Sequence, residues 1–181
     1  MSFTIVSMKR KAILVGLGKI GFEYDLTQDS FLIEKTLTHY KALTESNYFQ
    51  LTAVIDKDQS KLNRFREIST IPFFNSLQDI ESDICGALLV FATSTNSHLN
   101  VVKSIKNPLE PGLILIEKPV GMNSFECRQI QNWVKNFDAP IYVNYFRRYF
   151  NSTVEAKKKI SNLNLGQPYR IEVSSYGSLL N

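Results

Sequence analysis

Five short apolar runs, separated by longer amphipathic stretches, constrain this chain more than any other feature. They are Ala12 to Val15, Leu51 to Ile55, Ala87 to Phe91, Leu113 to Ile116 and Ile141 to Tyr145. Runs of this length suit parallel strands buried on both faces, where no solvent side imposes an alternating pattern. Ile71 to Phe74 reads as a further short strand, and Pro72 confines it to an edge because proline cannot donate to a ladder. The intervening segments carry helical spacing. Asp58 to Ile68 opens on a capping Asp and places Leu62, Phe65 and Ile68 on one face. Asn96 to Ile105 and Asn123 to Phe137 each open on Asn, with Leu99, Val102 and Ile105 on the first stripe and Cys127, Ile130, Trp133, Val134 and Phe137 on the second. Strand and helix in alternation predict an α/β fold with a doubly wound parallel sheet. Phe22 to Thr38 breaks the rhythm and reads as an insertion before a helix over about Leu37 to Glu45.

After Tyr145 the pattern changes. Arg147 to Ser161 reads as a long helix, Gly166 to Pro168 as a turn, and Tyr169, Ile171 and Val173 alternate with polar residues as in a half-buried strand. The expected organisation is therefore a first domain over residues 1–146, then the opening helix and strand of an incomplete α+β domain over 147–181. With 181 residues and 44% hydrophobic content, the chain fills one core but not two full domains. An unpaired strand near the carboxyl end is a candidate surface for homo-oligomer formation.

Composition narrows the class. No stretch approaches the roughly 18 apolar residues that span a bilayer. The basic cluster Lys9, Arg10 and Lys11 follows the short amino-terminal apolar stretch instead of preceding it, unlike a signal peptide. A cytoplasmic protein without membrane contact is expected. Cys85 and Cys127 form no CxxC, and with only two histidines no metal site is expected. The net charge is +4, and Lys157, Lys158 and Lys159 read as a solvated helix face. The aromatic residues do not interleave with basic ones as a nucleic-acid stacking surface requires.

Directly after the first run stands Gly16-Leu17-Gly18-Lys19-Ile20-Gly21, a GxGxxG pattern. Placed between a strand and a helix, it allows a tight turn at Gly16, close approach of a pyrophosphate at Gly18 and close packing at Gly21. A following helix is expected to direct its amino end at the phosphates. Asp56 ends the second run, where a carboxylate accepts hydrogen bonds from ribose hydroxyls and disfavours a 2′-phosphate, so NAD is expected, with NADP as the alternative. A plain helix cap is the other reading of Asp56. Its separation from the glycines exceeds the usual spacing, and the Phe22 to Thr38 insertion accounts for the excess.

Three more motifs end successive strands: Phe91-Ala92-Thr93-Ser94-Thr95-Asn96-Ser97-His98, Glu117-Lys118-Pro119, and Asn144-Tyr145-Phe146-Arg147-Arg148-Tyr149. In this order the chain resembles the Gfo/Idh/MocA oxidoreductase family from residue 8 to about 176. The resemblance implies hydride transfer between NAD(P) and a carbinol or carbonyl of a sugar, cyclitol or nucleotide sugar. It implies that Lys118 is catalytic, its ammonium bonding the reacting oxygen and passing a proton. It places Thr93 and Glu117 near the nicotinamide and its ribose, Thr95, Asn96 and His98 along the cofactor's middle, and Arg148 over cofactor or substrate. For His98 a structural role is the alternative, and for the arginine pair an anchoring role. The family's substrate domain carries a glycine-rich turn, an Asp and a His that these 181 residues lack. The expected molecule is therefore part of a dehydrogenase, a non-catalytic dinucleotide-binding module, or a subunit completed by another polypeptide.

Overall fold

The computed structural model describes residues 8–26, 36–80, 85–105 and 110–162, together with Arg170 and Glu172. Its strands are β1 (Arg10–Val15), β2 (Phe49–Ile55), β3 (Phe73–Phe74), β4 (Leu88–Phe91), β5 (Leu113–Ile116) and β6 (Ile141–Val143). They form one sheet in the order β3-β2-β1-β4-β5-β6, every pair parallel. This is the strand order of a Rossmann fold, with the chain reversing direction across the sheet between β1 and β4. The edge strand expected from Ile71 to Phe74 is present as β3, only two residues long and paired to β2 alone.

Helices α1 (His39–Thr44), α2 (Gln59–Arg66), α3 (Thr95–Lys103) and α4 (Ser124–Val134) fill the gaps between strands. The apolar runs explain the two layers they cover. Ile13, Val15, Leu89, Phe91, Ile114 and Ile116 point to one face and pack with Val102 of α3 and Ile130 and Val134 of α4. Ala12, Leu14, Leu88 and Val90 point to the other and meet Leu43 of α1 and Leu62 and Phe65 of α2. Phe22, Tyr40 and Phe65 lie edge to face there, with ring centroids 5.1–5.5 Å apart. Within β2 the alternation slips: Leu51 joins the second layer and Ala53 the first, although period two would put them together. A register shift explains this, since Ala12 pairs with Leu51 and Ile13 with Ala53, leaving Thr52 unpaired as a bulge with its hydroxyl donating to the Ala12 carbonyl at 3.1 Å.

Several expected boundaries move. The second helix ends at Arg66, so Ile68 is not on its buried stripe and is 49% exposed. The third starts at Thr95 with Ser94, not Asn96, in the capping position, and the Ser94 hydroxyl donates to Asn96 Oδ1 at 2.6 Å instead of accepting from the backbone. Asp58 and Asn123 cap α2 and α4 as anticipated, accepting from Ser60 and Glu126 backbone N–H groups.

The chain divides into two units, Met1–Asn144 and Tyr145–Asn181. In the second, a 3-10 turn (Phe146–Tyr149) leads into α5 (Asn151–Asn162), with the Phe146 and Phe150 rings 5.6 Å apart. Lys157, Lys158 and Lys159 are exposed on α5. The strand expected over Tyr169 to Val173 falls outside the described residues, apart from Arg170 and Glu172, which form an exposed ion pair. No described helix is long and apolar enough to cross a membrane, and no cluster of metal-ligating side chains occurs among the described residues.

Candidate functional site

Because all strands run in parallel, their carboxyl ends share one edge. Five polar or glycine positions follow five neighbouring strands there: Asp56 after β2, Gly16 after β1, Thr93 after β4, Glu117 after β5 and Asn144 after β6. Ladder hydrogen bonds continue past the strand ends and hold four of them. Gly16 N–H donates to Ile55 at 2.7 Å, Asp56 to Phe74 at 3.2 Å, Glu117 to Phe91 at 3.0 Å and Asn144 to Ile116 at 2.8 Å. The crevice at this edge, beside the β1/β4 switch point, is where open α/β sheets bind ligands.

A cleft of about 780 Å³ opens there. Gly16, Gly18, Lys19, Ile20, Asp56 and Thr93 line it, and Gly21 is not among the lining residues. The glycines divide by role. Gly16 has φ +105°, and a Cβ there would meet the Ala92 carbonyl carbon at 2.7 Å; a Cβ on Gly21 would stand 2.0 Å from the Gly16 oxygen. Both are packing glycines. A Cβ on Gly18 would meet nothing nearer than Lys61 Nζ at 3.9 Å, so that position faces open space in the cleft. Leu17 N–H is taken by Asp56 Oδ2 at 2.8 Å, while the N–H groups of Gly18, Lys19 and Ile20 have no acceptor among the described residues. Thr93 Oγ1 is buried without a partner, and buried hydroxyls are ordinarily satisfied. Unclaimed donors, an orphaned hydroxyl and a glycine open to the cleft fit a group with phosphates and ribose hydroxyls.

The helix expected right after the glycines is not there in simple form. The chain makes one helical turn, with Phe22 N–H bonded to Gly18 O, then a 3-10 turn over Glu23–Leu26. The helix resumes at α1, where His39 N–H donates to Ile20 O and Tyr40 N–H to Gly21 O, each at 3.0 Å. In an uninterrupted α-helix these bonds would come from residues 24 and 25. Relative to a continuous helix the insertion is thus 15 residues, 24 to 38. The separation from Gly21 to Asp56 is 35 residues, and removing those 15 leaves the 20 that ribose recognition expects. α1 itself has only six residues, and the glycine turn leaves N–H groups at the cleft without an acceptor among the described residues.

Asp56 is held firmly. Oδ1 accepts from Asp58 N–H at 2.9 Å, Oδ2 from Leu17, and Lys61 Nζ stands 3.9 Å from Oδ2. Lys57, Lys61 and Lys19 give this end of the cleft a positive border.

Glu117 forms a second focus. Its Oε1 accepts from Asn144 Nδ2 at 2.5 Å and lies 2.8 Å from His39 Nε2, and Oε2 accepts from Lys118 N–H at 3.3 Å. Burial pushes the Glu117 carboxyl up, but the hydrogen bonds from His39 and Asn144 outweigh it and hold the group below the usual glutamate range. Lys118 beside it is exposed.

Other expected residues fall elsewhere. His98 is fully buried, with Nδ1 3.1 Å from Val120 O and Nε2 3.0 Å from Thr93 O. Both ring nitrogens face backbone carbonyls, so it ties the β4–α3 loop to the segment after β5 instead of meeting the cofactor. Thr95 and Asn96 do not line the cleft; Asn96 is exposed and accepts from Ser94 and Ser97. Arg148 is exposed in the second unit, its backbone N–H donating to Tyr145 O at 2.9 Å. Missed by sequence reasoning are Ser97, Asn100 and Ser104, which line the cleft along α3. Their spacing is the polar complement of the Leu99, Val102 and Ile105 stripe, so the signal was present. His39 was concealed by the insertion.

A family model described as an oxidoreductase family with an NAD-binding Rossmann fold, Gfo/Idh/MocA, matches residues 10–145. No curated protein matches the chain by sequence. Among solved structures, a myo-inositol 2-dehydrogenase from Lactobacillus plantarum superposes with TM-score 0.67 at 18% identity, covering 88% of this chain and 43% of that one. The WlbA dehydrogenase from Bordetella pertussis, solved with NADH and UDP-GlcNAcA, gives 0.65 at 19%, covering 88% and 44%. A scyllo-inositol dehydrogenase from Lactobacillus casei, with NAD(H) and scyllo-inositol bound, gives 0.67 at 18%, covering 88% and 43%. The chain therefore spans less than half the length of these structures.

Proposed function

This chain belongs to the Gfo/Idh/MocA oxidoreductase family, and we propose that it is the cofactor-binding part of a dehydrogenase acting on a polyhydroxylated substrate, with Lys118 as its proton-handling residue. The observation that carries the reading is the Gly16–Gly21 turn after β1, with Gly18 open to a cleft of about 780 Å³. The N–H groups of Gly18, Lys19 and Ile20 would receive the pyrophosphate, and Asp56 the adenosine ribose. Thr93 would meet the nicotinamide side, since its strand lies one step further along the edge. Bound NAD supplies the hydride acceptor or donor. Lys118 Nζ can hold a proton for the reacting oxygen and stabilise its alkoxide character. Thr95, Asn96 and Arg148 remain assigned by resemblance, as residues that order around bound cofactor and substrate. The substrate class is proposed by analogy with structures solved with scyllo-inositol and with UDP-GlcNAcA bound. A second reading, binding with catalysis completed by further polypeptide, has one observation in its favour: the match covers only 43% of the inositol dehydrogenase.

Titration with NADH and NADPH, followed by fluorescence, tests the proposal. NADH is expected to bind more tightly than NADPH, because Asp56 repels a 2′-phosphate. Failure of both to bind would remove the reading, and tighter NADPH binding would remove Asp56 from its role.

A further inference from the structure

We infer that His39 is a positioning residue for the nicotinamide end of the bound dinucleotide, acting through Glu117; the inference rests on the proposed NAD site. Three segments distant in sequence converge on one carboxylate: the start of α1 brings His39, the end of β5 brings Glu117, and the end of β6 brings Asn144. The side chains of His39 and Glu117 are each only 11% exposed. A carboxylate held below its ordinary range is ionised and can only accept, so His39 Nε2 and Asn144 Nδ2 both donate to Oε1. The remaining oxygen receives the Lys118 backbone N–H. These hydrogen bonds to the Glu117 carboxylate fix the corner that carries Lys118, which leaves the carboxylate as an anchor of that corner and not its base. A buried charge stays in place only while its donors do. Without the imidazole, Glu117 is free to turn toward water, and the Glu117–Lys118 backbone loses its hold.

The position along the sheet edge decides which part of the cofactor feels this. The cleft that would take the ADP portion is lined by residues of the β1, β2 and β4 ends and of α3, and neither His39 nor Glu117 borders it. The His39 cluster lies beyond Thr93, on the β5 and β6 side. The insertion explains why a histidine can serve here. Its two ends are latched by Asp25, which accepts from Leu37 N–H at 3.2 Å and from the Thr38 hydroxyl, so α1 resumes in helical register and presents His39 as residue 24 of an uninterrupted helix would be presented.

The test compares two ligands on the full chain, NADH and ADP-ribose, which lacks the nicotinamide ring. His39→Ala should weaken NADH binding by about tenfold or more, a difference of ~1.4 kcal/mol, and leave ADP-ribose binding within about twofold, an energy well below that step. His39→Gln, whose amide Nε2 can donate to Glu117, should recover most of the loss. Equal weakening of both ligands, no weakening of NADH, or no recovery with Gln would overturn the assignment. Binding of neither ligand by the unaltered chain would overturn the NAD site itself, and the assignment with it. A measurement on the unaltered chain covers the case in which His39→Ala does not fold. With two histidines in the sequence, imidazole NMR resolves His39 against His98 as internal reference. NAD should shift the His39 signals and ADP-ribose should not; identical responses to both would overturn the inference.

Discussion

Gly18 and Gly16 make opposite demands although they stand two residues apart. Gly16 sits in the left-handed region with backbone 2.7 Å from any added Cβ, so Gly16→Ala should lower the melting temperature as well as abolish binding. Gly18 has space, and Gly18→Val should leave the melting temperature nearly unchanged while weakening NADH by about tenfold or more. Thermal melts paired with cofactor titration separate the two, and a destabilised Gly18→Val would mean that the cleft is narrower than the structure shows. Glu117 contributes a pH dependence of its own. Its carboxyl titrates below its value in the unfolded chain, so the unfolded state binds the proton more readily near that range. Its contribution to stability is therefore present above the ordinary glutamate value of 4.5 and is lost as pH falls through the lower folded value. Glu117→Gln should flatten that part of the acid denaturation curve, and an unaltered curve would show that the carboxylate is not held as described.

At the scale of elements, the insertion is separable from the fold it interrupts. His39 and Tyr40 already bond to Ile20 and Gly21 as a continuous helix would. Joining Glu23 directly to His39 removes 15 residues and should give a chain that folds, because among the described residues of that segment none lies in a strand and Leu26 alone packs against the second core layer. Closing a loop of this length costs entropy that grows only slowly with length, so the change in stability from shortening alone is small. Circular dichroism and NADH titration on the deleted chain would check this. Loss of binding with retained fold would show that the insertion itself reaches the cofactor, through Tyr24 at the cleft border. Phe65 gives the opposite expectation. It is fully buried in the ring cluster with Phe22 and Tyr40, and Phe65→Ala should cost about 3–5 kcal/mol in urea unfolding.

For the whole molecule, the first unit contains every strand described and every residue that lines the cleft. A polypeptide ending at Asn144 should therefore fold and bind ADP-ribose with the affinity of the full chain, since every residue lining the cleft precedes its end. A drop in affinity would assign part of the site to the second unit, and would favour the role that resemblance gives to Arg148.

The parallel strands, the helices between them and the glycine turn were legible in the sequence because each rests on local chemistry. Buried parallel strands leave uninterrupted apolar runs, Asp58 and Asn123 cap the helices that follow them, and Gly16 occupies a conformation that glycine tolerates. The family was legible for the same reason, since its motifs end strands that the runs already mark. What the sequence could not show is which side chains meet across long separations. The Thr52 bulge arises from the pairing of β1 with β2 and reverses Leu51 relative to Ala53. His98, a candidate for the cofactor, has both nitrogens facing carbonyls from two different loops. His39 lies 78 residues before its partner Glu117 in sequence and 2.8 Å from it in space. Local patterns specify elements through periodicity and capping, but a hydrogen bond between distant residues exists only once the sheet has brought their strand ends to one edge.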